Sequence, residues 1–221
     1  MSEERGESKG NNTDLRNDWL WVLDPLDGTK DFIQNTGEFA MHLALNYKNI
    51  PMLGVVLIPS LEELWIADGN NCWLEGRNGF KQKPSLSERK GISDMTIVTS
   101  KNHNNEVLKF IINQLGFSNT IFMGSIGCKI ASIMRGDSDV FISLSLPGQS
   151  SPKDWDFAAP EVILKNAGGR ITNVDNNNLV YNKKDFDQEG IIIASINEQI
   201  QEKLCFEIKN IINKNDIFLS N

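Results

Sequence analysis

Residues 19–32 constrain this chain more than any other stretch. Trp19-Leu20-Trp21-Val22-Leu23 is apolar enough for a buried strand, and it runs directly into Asp24-Pro25-Leu26-Asp27, then Gly28 and Thr29. Two carboxylates three residues apart at the end of a buried strand are costly to desolvate unless something cationic pairs with them. No Lys or Arg lies between them, so a hard divalent cation held by carboxylate and carbonyl oxygens is the natural partner. Pro25 removes a backbone donor and fixes the turn, while Gly28 lets the backbone approach a ligand closely. The N–H groups after the turn can take a phosphate oxygen. Asp-Pro and Asp-Gly are also ordinary turn dipeptides, so this segment by itself leaves a plain turn open.

The rest of the chain limits the classes available. Its 221 residues suffice for one compact domain or two packed lobes. A net charge of −7 argues against a general nucleic-acid surface. It does not argue against a phosphorylated metabolite, because a bound metal inverts the local electrostatics. No apolar run reaches membrane-span length, and the polar, acidic N-terminus is unlike a secretory signal. Cys72, Cys128 and Cys205 are odd in number and lack a CxxC spacing, which predicts free thiols in a reducing cytoplasm.

Periodicity divides the chain in two. Up to about residue 88 the pattern is that of an antiparallel sheet. Phe39, Met41, Leu43 and Leu45 alternate with Ala40, His42 and Ala44, and His42 reads as a core histidine. Residues 52–58 form a continuous apolar run, predicting a strand covered on both faces. Asp68-Gly69-Asn70-Asn71 is a hairpin turn between strands at 64–67 and 72–74, and 81–91 is a polar connector. From residue 89 strands alternate with helices: strands at 95–100, 120–123, 139–143, 170–173 and 190–195, helices at 104–115, 125–135 and 197–213. A further helix carries the Trp155–Ala167 run, with Asp154 expected to cap it.

Three motifs stand in order: Ser2-Glu3-Glu4, then Asp24-Pro25-Leu26-Asp27-Gly28-Thr29, then Trp155-Asp156-Phe157-Ala158-Ala159 followed by Ala167-Gly168-Gly169. Together they resemble the lithium-sensitive, magnesium-dependent phosphatases related to inositol monophosphatase, from residue 2 to about 195. The resemblance implies an α/β (α+β) sugar-phosphatase fold, an α-β-α-β-α layered sandwich. Family members carry a helical segment before the Ser-Glu-Glu motif, with an aspartate that works with the threonine. The expectation is therefore a single N-terminally truncated phosphatase domain, 1–221, lacking its first α layer. Its sub-lobes would be about 1–88 and 89–221, and an uncovered sheet face would invite homo-oligomerisation.

By the same resemblance, Glu3, Asp24, Asp27, Asp156 and the Leu26 carbonyl hold two or three Mg²⁺ ions. Gly28 and Thr29 bind the phosphate, and Thr29, Glu3 and Asp27 form the catalytic set. Thr29-Lys30-Asp31-Phe32 with Gly37-Glu38-Phe39, Ser100-Lys101-Asn102-His103 and Gly124-Ser125-Ile126-Gly127-Cys128-Lys129 resemble the 3′(2′),5′-bisphosphate nucleotidases. That resemblance assigns Ser100, His103, Ser125 and Lys129 to the nucleotide and its second phosphate. Lys129 has a physical rationale, since a phosphate remote from the metals needs its own cation. The expected reaction is hydrolysis of 3′-phosphoadenosine 5′-phosphate to AMP and phosphate, with no membrane or nucleic-acid partner. The rivals are an inositol-monophosphate or fructose-1,6-bisphosphate phosphatase, or a non-catalytic metal- and nucleotide-binding module.

Overall fold

β1 (Trp19–Asp27) opens the computed structural model, which describes residues 18–101, 105–146 and 148–217. After the short α1 (Thr29–Ile33) come β2 (Ala40–Tyr47), β3 (Ile50–Ile58), β4 (Glu63–Ala67), β5 (Cys72–Glu75) and β6 (Lys81–Gln82). They form a six-stranded antiparallel meander in sequence order. Its hairpins are locally encoded. Lys48 and Asn49 both take positive φ between β2 and β3, the pattern of a tight hairpin turn. The Asp68 carboxylate accepts from the Asn70 and Asn71 N–H groups between β4 and β5. The connector expected at 81–91 begins with the two residues of β6.

The second sheet holds β7 (Thr96–Ser100), β8 (Asn119–Met123), β9 (Val140–Ser145), β10 (Arg170–Asn173) and β11 (Gly190–Ser195), in the order β10-β11-β9-β7-β8. β7 runs parallel to β8 and β9, and β11 antiparallel to β9 and β10. The helices are α2 (Glu106–Leu115), α3 (Ile126–Arg135), α4 (Asp154–Asn166) and α5 (Glu198–Lys214). α3 and α4 lie between the sheets, while α5 packs on β10 and β11 beside α2. The described layers are therefore β-α-β-α. One apolar core runs through them, from Val22 and Trp65 through Ile130 and Phe157 to Ile193 and Leu204. Among the described residues no helix is long and apolar enough to cross a membrane.

The alternation on β2 has a packing reason. Its buried face is the small one, Ala40, His42, Ala44 and Asn46, and Gly54 continues it on β3. A Cβ at Gly54 would lie 2.7 Å from the Ala159 carbonyl of α4, so small residues admit the helices against the sheet. This corrects the expectation that residues 52–58 are covered on both faces. Gly54, Val56 and Ile58 are buried, Leu53, Val55 and Leu57 only half so, and Met52 is exposed. Both helices that touch β3 lie on the small face. On β1, Trp19 and Trp21 are likewise exposed.

Helix ends follow their sequence signals. Asn105 caps α2 through the Val107 and Leu108 N–H groups, and Gly116 and Gly136 close α2 and α3 at positive φ. Asp154 departs from expectation. Lys153 is the N-cap of α4, and Asp154 is its first residue, fully buried, accepting from Asn182 N and Gln188 Nε2. The cap comes from Asp156, whose carboxylate accepts the Lys153 N–H at 2.5 Å. Asp154 instead ties the loop before β11 to the helix.

Candidate metal centre

β1 is the edge strand of its sheet, which is why Pro25 is tolerated there. Its register with β2 slips between Asp24 and Asp27: Asp24 faces His42, but Asp27 faces Ala40. The slip is one extra residue, a bulge that re-aims the side chains at the end of the strand. Asp24 Oδ1 accepts the Leu26 N–H at 3.0 Å, and the Thr29 hydroxyl donates to the Leu26 carbonyl at 3.2 Å. Gly28 has φ +88°, and a Cβ there would stand 2.7 Å from the Glu38 carbonyl. Both features require glycine.

Asp27 meets two donors and a histidine ring on one oxygen. Its Oδ2 accepts from Ser125 Oγ at 2.6 Å and from Gly127 N at 3.0 Å, and it lies 3.3 Å from His42 Nε2. Ser125 also caps α3, accepting from Cys128 N at 3.1 Å. Asp156 arrives from the first turn of α4. Asp24, Asp27 and Asp156 thus offer carboxylate oxygens within 4.8 Å of one another. Asp24 is buried, and the Asp27 side chain is 10% exposed. An all-oxygen set of this density fits a hard divalent cation such as Mg²⁺ and no soft metal. The Leu26 carbonyl lies in the same turn, between Asp24 and Asp27 in sequence.

A cavity of about 350 Å³ opens beside the carboxylates. Its lining includes Asp27, Gly124, Lys129 and Asp156 together with the polar side chains of Ser100, Ser143, Ser145, Ser151 and Lys153. Lys129 is 1% exposed; its Nζ donates to the Gly124 carbonyl at 2.6 Å and lies 5.5 Å from the Phe141 ring centroid. Burial pulls its amine down from 10.5 to about 8, against the opposing pull of the Asp27 charge. Burial also pushes the Cys128 thiol up to about 12, and all three cysteines are free and buried.

The structure therefore brings together Asp24, Asp27, Asp156, Gly28, Thr29, Leu26, Ser100, Ser125 and Lys129. Glu3 and His103 lie outside the described residues. Ser125, expected at the nucleotide, is fully buried and its hydroxyl donates to Asp27. Two groups were missed. His42 contacts Asp27, and no local signal separates it from a core histidine. Lys101 sits between Asp31 and Glu38, bonding Asp31 and lying 2.9 Å from Glu38. Glu38 in turn accepts the Gly124 N–H at 2.7 Å. This cluster joins the turn after β1 to the end of β7 and the start of α3. A lysine directly after Ser100 was the signal that could have found it.

The inositol monophosphatase family model matches residues 1–213. The 3′(2′),5′-bisphosphate nucleotidase CysQ of Buchnera aphidicola is 30% identical over 177 residues, 79% of this chain and 63% of that relative. CysQ of Salmonella typhimurium is 30% identical over 174 residues, 78% of this chain and 67% of its own length. The chain thus spans less than two thirds of the length of most curated relatives it matches. Among solved structures, the Thermotoga maritima IMPase superposes with a TM-score of 0.75 at 24% identity, over 97% of this chain and 75% of its own. CysQ from Bacteroides thetaiotaomicron gives 0.72 at 27% identity, over 90% and 77%. A match over nearly the whole chain, with the carboxylate cluster in place, means that this chain belongs to the inositol monophosphatase family.

Proposed function

We propose that the chain is a magnesium-dependent phosphomonoester hydrolase that removes the 3′-phosphate of 3′-phosphoadenosine 5′-phosphate, giving AMP and inorganic phosphate. The observation that carries this reading is that a three-carboxylate cluster and a buried lysine contribute to the lining of one cavity. The first suits a metal-held phosphate, and the second offers a second phosphate a cation of its own.

Asp24, Asp27, Asp156 and the Leu26 carbonyl, with Glu3, would hold two or three Mg²⁺ ions. Bound magnesium supplies Lewis-acid polarisation of the phosphoryl group and acidifies water. The chain's own groups do the rest. The N–H groups of Gly28 and Thr29 cradle the phosphate. The Thr29 hydroxyl orients the attacking water, with Glu3 and Asp27 completing the catalytic set. Water oxygen bonds to phosphorus, the bond to O3′ breaks, and O3′ leaves with a proton as the ribose hydroxyl. Ser100, His103 and Lys129 receive the nucleotide and its 5′-phosphate, while Ser125 acts through Asp27. The CysQ relatives carry the nucleotidase name and support this choice over an inositol phosphate.

The test is phosphate release from 3′-phosphoadenosine 5′-phosphate, inositol monophosphate and fructose 1,6-bisphosphate, with Mg²⁺, with Mg²⁺ plus Li⁺, and with Asp27→Asn. The expected result is Mg²⁺-dependent, Li⁺-inhibited turnover of the nucleotide that vanishes in Asp27→Asn. Equal or faster turnover of either sugar phosphate refutes the nucleotide assignment. Silence on all three substrates, with nucleotide and metal still bound, refutes catalysis and leaves a binding module.

A further inference from the structure

His42 is 1% exposed and touches both elements that carry the cluster carboxylates, β1 through Asp27 and α4 through the Trp155 carbonyl. On the sheet it is the register partner of Asp24. Its Nε2 lies 3.3 Å from Asp27 Oδ2, and its Nδ1 lies 3.3 Å from the Trp155 carbonyl, one residue before Asp156. The ring therefore spans the gap between the end of β1 and the start of α4, which carry the two halves of the cluster. The space is reserved for it: a Cβ at Gly127 would lie 2.3 Å from Nε2. Its contact falls on the same Asp27 oxygen that Ser125 and Gly127 engage.

We propose that His42 is a positioning residue that sets the spacing between the Asp24–Asp27 pair and Asp156, and so tunes the cation affinity of the centre. This rests on the metal-centre reading above. Groups that orient metal ligands from behind change affinity by about 10- to 100-fold when removed. A histidine that only fills the core would lower stability and leave metal affinity alone.

The experiment titrates Mg²⁺ into the metal-free chain by calorimetry, for the wild type, His42→Asn and His42→Ala, with thermal melts in EDTA alongside. We expect the Mg²⁺ dissociation constant to rise about tenfold or more in both variants, with the KM for substrate at saturating Mg²⁺ unchanged. A folded variant that binds Mg²⁺ with wild-type affinity overturns the inference. Should neither variant fold, the wild type decides it. The chain has two histidines, so the His42 ring signals can be followed by NMR. They should shift on Mg²⁺ saturation, and unchanged signals overturn the proposal. A wild-type chain that takes up no Mg²⁺ at all refutes the metal-centre reading itself, and this inference with it. That result is distinct from a wild type that binds and a variant that binds equally.

Discussion

Replacing Lys129 by methionine should push stability and substrate binding in opposite directions. The ammonium is fully enclosed, and burial lowers its pKa from 10.5 to about 8. That fall corresponds to about 3 kcal/mol disfavouring the charged form in the metal-free fold. Methionine is close in length and carries no charge to desolvate, but it forfeits the bond to the Gly124 carbonyl, worth about 1 kcal/mol. The net gain, about 2 kcal/mol, should raise the midpoint of thermal unfolding by about 4–8 °C for a chain of this size. The pH window follows from linkage. Between about 8 and 10.5 the unfolded chain binds more protons at this site than the folded one, so wild-type stability rises with pH there. Below 8 the penalty is fully present, so the advantage of Lys129→Met should be largest below pH 8 and fade towards 10.5. Against this, a phosphate that loses a desolvated cation loses at least about 2 kcal/mol, a thirtyfold rise in KM for the bisphosphate. Substrates with one phosphate should be unaffected. The assays are melts in EDTA from pH 7 to 10.5 and phosphate-release kinetics on both substrate types. A variant less stable than wild type at pH 7, or one with unchanged KM for the bisphosphate, refutes the reasoning.

Other perturbations test the surrounding frame. Lys101→Ala removes a cation from Asp31, 1% exposed, and should cost about 2 kcal/mol in urea unfolding, with Lys101→Arg recovering most of it; a neutral Lys101→Ala refutes the joint between the turn after β1 and the end of β7. Gly28→Ala puts a Cβ 2.7 Å from the Glu38 carbonyl at φ +88° and should cost more than about 1–2 kcal/mol together with turnover. Burial raises the Glu161 carboxyl to about 7, opposed by the hydroxyl of Tyr181. A raised carboxyl pKa means stability held at low pH and lost as pH rises through 7. Glu161→Gln should therefore flatten the melting curve between pH 5 and 7, and an unchanged pH slope would refute this.

The sequence alone determined whatever is set within a few residues. The hairpin at Asp68–Asn71, the caps at Asn105, Gly116 and Gly136, and the strand at Gly190–Ser195 all form as their local patterns require. Such features depend on side chains reaching their own backbone, and that reach is short. The resemblance carried by three motifs extended this to the family and to Asp24, Asp27 and Asp156. Tertiary structure decided how those carboxylates are held. Asp27 takes its donors from Ser125 and Gly127, 98 and 100 residues away, and its third neighbour is a histidine that alternates with alanines like any core residue. Asp154 looked like a cap because it stands before a helix, but packing against Asn182 and Gln188 claimed it. Residues 52–58 read as doubly covered because apolar content reports what a strand can bury. Only the placement of α3 and α4 fixed which face they buried.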